Sequence, residues 1–341
     1  MNEELNYLGE NLVLVLSAPR SGSTLLQRMI GSHSAVFTHP EPHILTPLVF
    51  QGYFYSVDDA PYNHKVAAKA LTEFVEELPE GEEDYLNACR EYCRVLYTRI
   101  LEGTGARYFL DKTPNYADTI LPSIRKILPK AKYIVLTRHP LAIMSSQART
   151  YYGSSYDLAL YSRNIIHTFI PPIADLLRDD HSDHLHVCYE DLVENPEAEM
   201  HKILEFLSLK FEGSCIEYGK QRHLNKTYGD PKVNLHDRPV TSSIDRWTID
   251  LLEDPSREKL CHLVLGEISD EDLENFGYPR EKIWNALDQV RSSEFSARRG
   301  IGYILERTKW SVFWWIKRVT SHGGVDRGIK RVRHWCDVLL R

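Results

Sequence analysis

An uncharged apolar run, Leu12-Val-Leu-Val-Leu16, breaks off into Ser17-Ala-Pro-Arg-Ser-Gly-Ser-Thr24 and then into the helix-forming Leu25-Leu-Gln-Arg28. No other stretch constrains the fold as strongly, because a short strand, a Gly/Ser turn and a helix in direct succession read as a phosphate-binding unit. Gly22 lets the backbone approach a ligand closely, successive loop N–H groups can converge on an anion, and the N–H groups of a helix starting near Thr24 add positive potential. An anionic ligand is expected there. The loop departs from the nucleotide-hydrolase pattern G-x-x-x-x-G-K-[ST]: Ser23 stands in the lysine slot, and the cation, Arg20, precedes the glycine. That departure argues against ATP or GTP chemistry.

The 341-residue chain, 43% hydrophobic, suits one large α/β domain with an appendage, or two small domains. No run approaches 18 uncharged apolar residues, and the start, Met1-Asn-Glu-Glu-Leu5, has neither a basic region nor an apolar one, so a soluble, cytoplasmic protein is expected. The six cysteines (Cys89, Cys93, Cys188, Cys215, Cys261, Cys336) have no C-x-x-C spacing and read as buried free thiols. Net charge is −7, but residues 297–341 carry eleven Lys/Arg against three Asp/Glu, so a basic tail follows an acidic body.

Along the chain, Phe37 to Pro61 is too irregular for either repeating pattern and reads as an active-site loop. From Val66 to Leu101 helical spacing dominates, with Cys89, Cys93, Leu96 and Ile100 as the core stripe. Tyr108-Phe-Leu-Asp-Lys112, Tyr133-Ile-Val-Leu-Thr137 and His184-Leu-His-Val-Cys-Tyr189 read as further strands. Helices are expected near Asp118 to Leu128, after Arg138-His-Pro140, and from Pro196 through Leu207. Alternating strands and helices imply an α/β, doubly wound, mainly parallel sheet flanked by helices, with ligands bound outside the carboxyl ends of the strands. Asn225 to Trp247 reads as a long polar loop over the site.

Four segments together resemble the sulfotransferases that use 3′-phosphoadenosine 5′-phosphosulfate (PAPS), over roughly residues 11 to 250. The fold this implies is P-loop-like. Pro19-Arg-Ser-Gly-Ser-Thr24 is similar to the family's 5′-phosphosulfate loop, which places Arg20, Ser21, Gly22, Ser23 and Thr24 on the donor. Arg138-His-Pro-Leu-Ala-Ile-Met-Ser-Ser146 resembles the 3′-phosphate motif, in which an arginine at a strand end and a serine eight residues later hold that phosphate; a planar guanidinium fork and a hydroxyl suit the task. Tyr189-Glu-Asp191 resembles a segment whose tyrosine lies near the adenine. Asp111-Lys-Thr-Pro-Asn-Tyr116 resembles the Lys-Thr-Pro turn of the tyrosylprotein, heparan and polyketide-associated members, which puts Lys112 on the bridging oxygen that becomes negative as the S–O bond breaks. A transferring sulfuryl group needs positioning and charge stabilisation more than covalent help, and Arg20 and Lys112 suit that role.

The acceptor must also lose a proton, which requires a base. Glu41 follows Arg20 by 21 residues, the separation of loop arginine and catalytic glutamate in the tyrosylprotein enzymes, and Pro40-Glu-Pro-His43 resembles the Pro-Glu-Leu-His of polyketide-associated members. Glu41 is therefore the expected base, with His43 as assistant or understudy, since Thr113-Pro114 lacks the histidine that many cytosolic members place there. His33, His39 and His43 alone make a weak metal pattern, and no metal is expected. The late loop departs from the cytosolic Arg-Lys-Gly form; Ser242 or Ser243 is a candidate donor contact, and Trp247 is either a stacking or a core residue.

Residues 1–280 are read as the catalytic domain and 281–341 as a basic, aromatic-rich helical extension. Trp310-Ser-Val-Phe-Trp-Trp-Ile-Lys-Arg318 and the stripe Val325, Ile329, Val332, Cys336, Leu339 leave two readings open: peripheral membrane contact through 301–341, or an amphipathic pair packed on the acidic domain. No nucleic-acid motif accompanies the basic charge, and oligomeric state is left open. The implied product is adenosine 3′,5′-bisphosphate, and the acceptor is a small-molecule, lipid or carrier-bound hydroxyl, or an amine. A divergent P-loop phosphotransferase and a non-catalytic module binding adenosine 3′,5′-bisphosphate are the alternatives. The first is disfavoured by Ser23 and the lack of a magnesium-binding acidic strand end, the second by the presence of Glu41 and Lys112.

Overall fold

The computed structural model describes residues 7–57, 60–117, 120–156, 165–179, 184–220 and 236–292. Strand β1 (Leu12–Ser17) is buried along its whole length. Leu12, Leu14 and Leu16 enter one hydrophobic core while Val13 and Val15 enter another. A strand covered by helices on both faces has no polar side to show, which is why it reads as an unbroken apolar run.

From β1 the chain runs through α1 (Ser23–Gly31), β2 (Val36–Pro40), α2 (Leu45–Val49), α3 (His64–Glu76), α4 (Glu82–Thr104) and β3 (Tyr108–Lys112). It continues through α5 (Leu121–Ile127), β4 (Lys132–Thr137), α6 (Pro140–Tyr151), α7 (Ile165–Arg178), β5 (His184–Cys188), α8 (Tyr189–Glu194) and α9 (Pro196–Phe206). The last described segment is helical: α10 (Arg246–Glu253), α11 (Pro255–Gly266), α12 (Asp270–Asn275) and α13 (Asn285–Ser292). Among the described residues the strands form one sheet in the order β2-β3-β1-β4-β5, every neighbouring pair parallel. The chain winds to one side of β1 and then to the other, so its carboxyl end is the topological switch point where such sheets bind ligands.

Three local expectations change. The segment after Val36 is not irregular at its start: Val36–Pro40 pairs with β3 as an edge strand. The helical stretch is two helices, α3 and α4, separated by a turn around Leu78–Gly81. The buried face of α4 is Leu86, Cys89, Arg90, Cys93, Tyr97 and Leu101, while Leu96 is 41% exposed. Arg90 belongs to that face because it caps the end of α5, its Nε donating to the Ile127 carbonyl at 3.0 Å and Nη2 to the Lys126 carbonyl at 3.1 Å.

Cys89, Cys93, Cys215 and Cys261 are buried free thiols and Cys188 is a half-buried one; Cys336 lies outside the described residues. Ile283 and Leu287 are part of the same core as Leu12, Leu14 and Leu16. Residues 293–341, with the Trp310–Arg318 segment and the 325–339 stripe, lie outside the described residues. Among the described residues no helix is long and apolar enough to cross a membrane.

Candidate active site

Parallel pairing brings all five carboxyl strand ends to one edge of the sheet. Read across it in spatial order, they present Glu41 just past β2, Lys112 at the end of β3, the Ala18–Gly22 loop after β1, Arg138 after β4 and Tyr189 after β5. Residues far apart in sequence thus form a single row.

The loop at the centre is strained. Arg20 has φ 73°, a conformation that costs a non-glycine residue on the order of 1–3 kcal/mol and persists only where neighbours impose it. Arg138 is one such neighbour: its Nη1 donates to the Arg20 carbonyl at 2.9 Å and its Nη2 to the Ser243 carbonyl at 2.8 Å, clamping the phosphate loop to the segment before α10. Its guanidinium lies over the Tyr189 ring, 4.2 Å from the centroid, and that ring packs on Gly22. A β-carbon at Gly22, where φ is 93°, would lie 2.6 Å from Tyr189 Cε2, so glycine is required there for both conformation and space. Gly22 offers α1 no side-chain cap, leaving its first N–H groups to face a ligand.

In front of the loop lies a cavity of about 320 Å³ lined by Arg20, Ser23, Arg138, Ser146, Arg149 and Tyr189, among others. That volume is at the lower end for small-ligand sites. Its described lining holds arginines, hydroxyls and tyrosines and no carboxylate, the donor set of an anion site. Arg20 Nε donates to Ser146 Oγ at 3.2 Å, which joins the loop to α6. Arg138 is 6% exposed, and its Nε has no hydrogen-bond partner. A buried cationic N–H left unmet is costly unless a ligand acceptor satisfies it. Ser21 Oγ is also buried and unpartnered, but Ser21 is not among the residues lining the cavity.

On the β2–β3 side, Lys112 Nζ donates to Glu41 Oε1 at 2.6 Å and to Thr24 Oγ1 at 3.5 Å. Lys112 is 1% exposed, so its ammonium depends on that carboxylate for neutralisation. Glu41 and His43 have φ 41° and 52°, so this turn, like the phosphate loop, is held in a rarely populated conformation. Beneath it Asp111 is fully buried; Tyr97 donates to its Oδ2 at 2.8 Å and Thr113 to its Oδ1 at 2.9 Å. Burial raises the Asp111 carboxyl to about 6, against the smaller opposing effect of those hydroxyls. The folded state therefore holds this proton more tightly than the unfolded chain, and Asp111 stabilises less as pH rises from about 4 to about 6. Urea unfolding at pH 4 to 7 should show that Asp111→Asn removes a downward slope on the order of 2–3 kcal/mol. Parallel stability curves for the two proteins would contradict it.

Arg20, Gly22, Ser23, Thr24, Arg138, Ser146 and Tyr189 thus meet at one cavity, and Glu41 and Lys112 at its flank joined through Thr24. Ser243 lines the cavity as well. Trp247 is a core residue, 1% exposed and stacked on His139 with ring centroids 4.7 Å apart. His33 accepts from Ala35 N and faces the Lys210 carbonyl, and among the described residues no metal-binding group of three His, Cys, Asp or Glu occurs. Around the site, Tyr53 packs on Tyr85, Tyr55 on Phe50 and Tyr62 on His64, while Tyr151 neighbours Tyr152 and has the Arg20 guanidinium 6.0 Å from its ring centroid. Residues 225–235 of the late loop lie outside the described residues. Sequence reasoning missed Arg149, Tyr218 and His236, which also line the cavity. Arg149 carries a signal in hindsight, being one helical turn beyond Ser146 on the same face of α6.

The sulfotransferase family model matches residues 13–213, more than half of the chain, from the second residue of β1 to beyond β5. The chain belongs to the sulfotransferase family. Nodulation protein NoeE of Sinorhizobium fredii (strain NBRC 101917 / NGR234) is 24% identical over 268 residues, a match covering 70% of this sulfotransferase-family chain and 60% of NoeE. The chain therefore spans less than two thirds of that relative. Protein-tyrosine sulfotransferase 2 of Gallus gallus is 22% identical over 343 residues, covering 90% of this chain and 86% of the relative. Among solved structures, the sulfotransferase domain from the Synechococcus PCC 7002 olefin synthase superposes with a TM-score of 0.51 at 26% identity, covering 75% of this chain and 96% of that one. The doubly wound sheet with its P-loop-like turn is thus the fold of this family.

Proposed function

We propose that this chain transfers a sulfuryl group from PAPS to an acceptor hydroxyl or amine by in-line displacement. The observation that carries the reading is the order of groups along the sheet edge: base, lysine, anion loop, arginine, tyrosine. In this reading Tyr189 takes the adenine side, Arg138 and Ser146 the 3′-phosphate, and Arg20 with the first N–H groups of α1 the 5′-phosphosulfate. Only that direction brings the sulfuryl end toward Lys112 and Glu41. The acceptor oxygen then forms its bond to sulfur as the S–O bond to the 5′-phosphate breaks. Glu41 takes the acceptor proton, Lys112 stabilises the negative charge growing on the departing oxygen, and adenosine 3′,5′-bisphosphate leaves.

Arg20 and Lys112 supply the charge that magnesium supplies in kinases, so activity should survive a chelator. Activity lost in EDTA and restored by magnesium would support a phosphotransferase instead. Arg138→Ala should weaken binding of adenosine 3′,5′-bisphosphate by more than about tenfold, since a charge-assisted phosphate contact contributes roughly 1.5–3 kcal/mol and the Arg20 carbonyl also loses its clamp. Unchanged affinity by calorimetry would remove Arg138 from the donor site.

A further inference from the structure

Successive residues of a strand point to opposite faces, so when Lys112 turns toward the anion loop, Asp111 turns into the helical layer behind it. There its carboxylate gathers hydroxyls from three places: Tyr97 on α4, Thr113 on the turn after β3, and Tyr116 on the following 3₁₀ turn. All four side chains are essentially inaccessible to solvent. Tyr116 differs from the others in reaching further. Its hydroxyl donates to Asp111 Oδ2 at 3.4 Å and accepts the backbone N–H of Leu45 at 3.0 Å. Leu45 opens α2, immediately beyond the strained Glu41–His43 turn. The carboxylate beside Lys112 is thereby connected, through one tyrosine hydroxyl, to the backbone that follows Glu41.

We propose that Asp111 and Tyr116 form a strut that sets the position of Glu41 relative to Lys112, acting as positioning residues. The proposal rests on the roles given above to Glu41 and Lys112. Two observations carry it beyond a generic buried network. The turn it anchors has two non-glycine residues at positive φ, which must be held from outside. The Glu41–Lys112 contact of 2.6 Å joins segments 71 residues apart; the β2–β3 ladder ends at the Pro40–Lys112 pair, so the ladder sets the approach of the two strands, while the turn that carries Glu41 lies beyond its last pair. The Tyr116 hydroxyl, bonded to Asp111 at one side and Leu45 at the other, ties β3 to the start of α2.

Tyr97 supplies the control, because it donates to the same Asp111 oxygen but, among the described residues, makes no hydrogen bond to α2. Tyr116→Phe and Tyr97→Phe each remove one buried hydroxyl and keep the ring, so both should lower the melting temperature. They should differ in the site. Acetylation of Lys112 by acetic anhydride, followed by mass spectrometry on the native full-length protein, should quicken about fivefold or more in Tyr116→Phe, because an unpaired lysine is more reactive than an ion-paired one. Lys112 is 1% exposed and reacts when the fold opens, so Tyr97→Phe sets the baseline for a loss of stability, and Tyr116→Phe should exceed that baseline by about fivefold. With PAPS and a working acceptor, Tyr116→Phe should lower kcat by about tenfold with the affinity for adenosine 3′,5′-bisphosphate unchanged, the pattern of misplaced chemistry rather than lost binding. Asp111→Asn, nearly isosteric, is the second variant and should shift Lys112 reactivity in the same direction. Equal Lys112 acetylation in Tyr116→Phe and Tyr97→Phe would overturn the strut. That readout needs no turnover, so an absence of sulfuryl transfer in the wild type would count against the proposed function and leave the acetylation result to decide the strut.

Discussion

Glu41→Gln is expected to lower turnover by about 10²–10⁴ while donor affinity stays close to that of the wild type, because the substitution removes the general base and its charge but keeps the shape of the side chain. Glutamine keeps the length of the side chain and an acceptor oxygen, so Lys112 Nζ retains a partner in place of the 2.6 Å ion pair. Alanine would be a poorer test. It would take from a 1%-exposed ammonium both its counter-charge and its hydrogen-bond acceptor, where glutamine takes only the charge, and the loss of a buried ion-pair partner destabilises by several kcal/mol. Single-turnover measurement with saturating PAPS separates the effect on chemistry from that on binding. Turnover within about threefold of wild type would move the base to His43 or beyond the described residues.

Lys112→Met should lower kcat by about 10²–10³, the usual effect of removing one group aimed at charge that develops in the transition state. Methionine fills a similar volume without the ammonium, so the packed end of β3 is kept. Donor affinity should fall much less than kcat, because the bridging oxygen carries most of its negative charge only once the S–O bond has begun to break. A donor with a better leaving group should recover part of the lost rate in the variant. A fall in affinity that matched or exceeded the fall in kcat would make Lys112 a binding group for the ground state.

The fold was legible wherever burial on both faces left an unbroken apolar run, as in β1 and β4. It was hidden where the signal was weak. β2 is a half-buried edge strand of five residues containing His39 and Pro40, so neither alternation nor apolarity marks it, and its existence depends on pairing with β3. On α4 the apolar spacing pointed to Leu96 and Ile100, yet the true face turns by one residue to include Arg90. Its burial depends on the α5 carbonyls it caps, a partner remote in sequence. For the site, the loop and the strand-end residues were readable from motif spacing. Their pairings were not: the Arg138 clamp on the Ser243 carbonyl, the Tyr189 ring on Gly22 and the Tyr116 hydroxyl beneath Leu45 all join segments brought together only by the parallel sheet.

The central claim is that the row of strand ends moves a sulfuryl group, and labelled donor tests it most directly. The full-length protein, incubated with [³⁵S]PAPS and a panel of phenols, sugars, alkyl alcohols, amines and carrier-bound hydroxyls in the presence of EDTA, should transfer label to at least one class and release adenosine 3′,5′-bisphosphate in equal amount. Glu41→Gln should bind the donor but transfer little. Wild-type protein that binds PAPS tightly yet transfers no label to any class, or that transfers phosphoryl from a nucleoside triphosphate only when magnesium is present, would contradict the account.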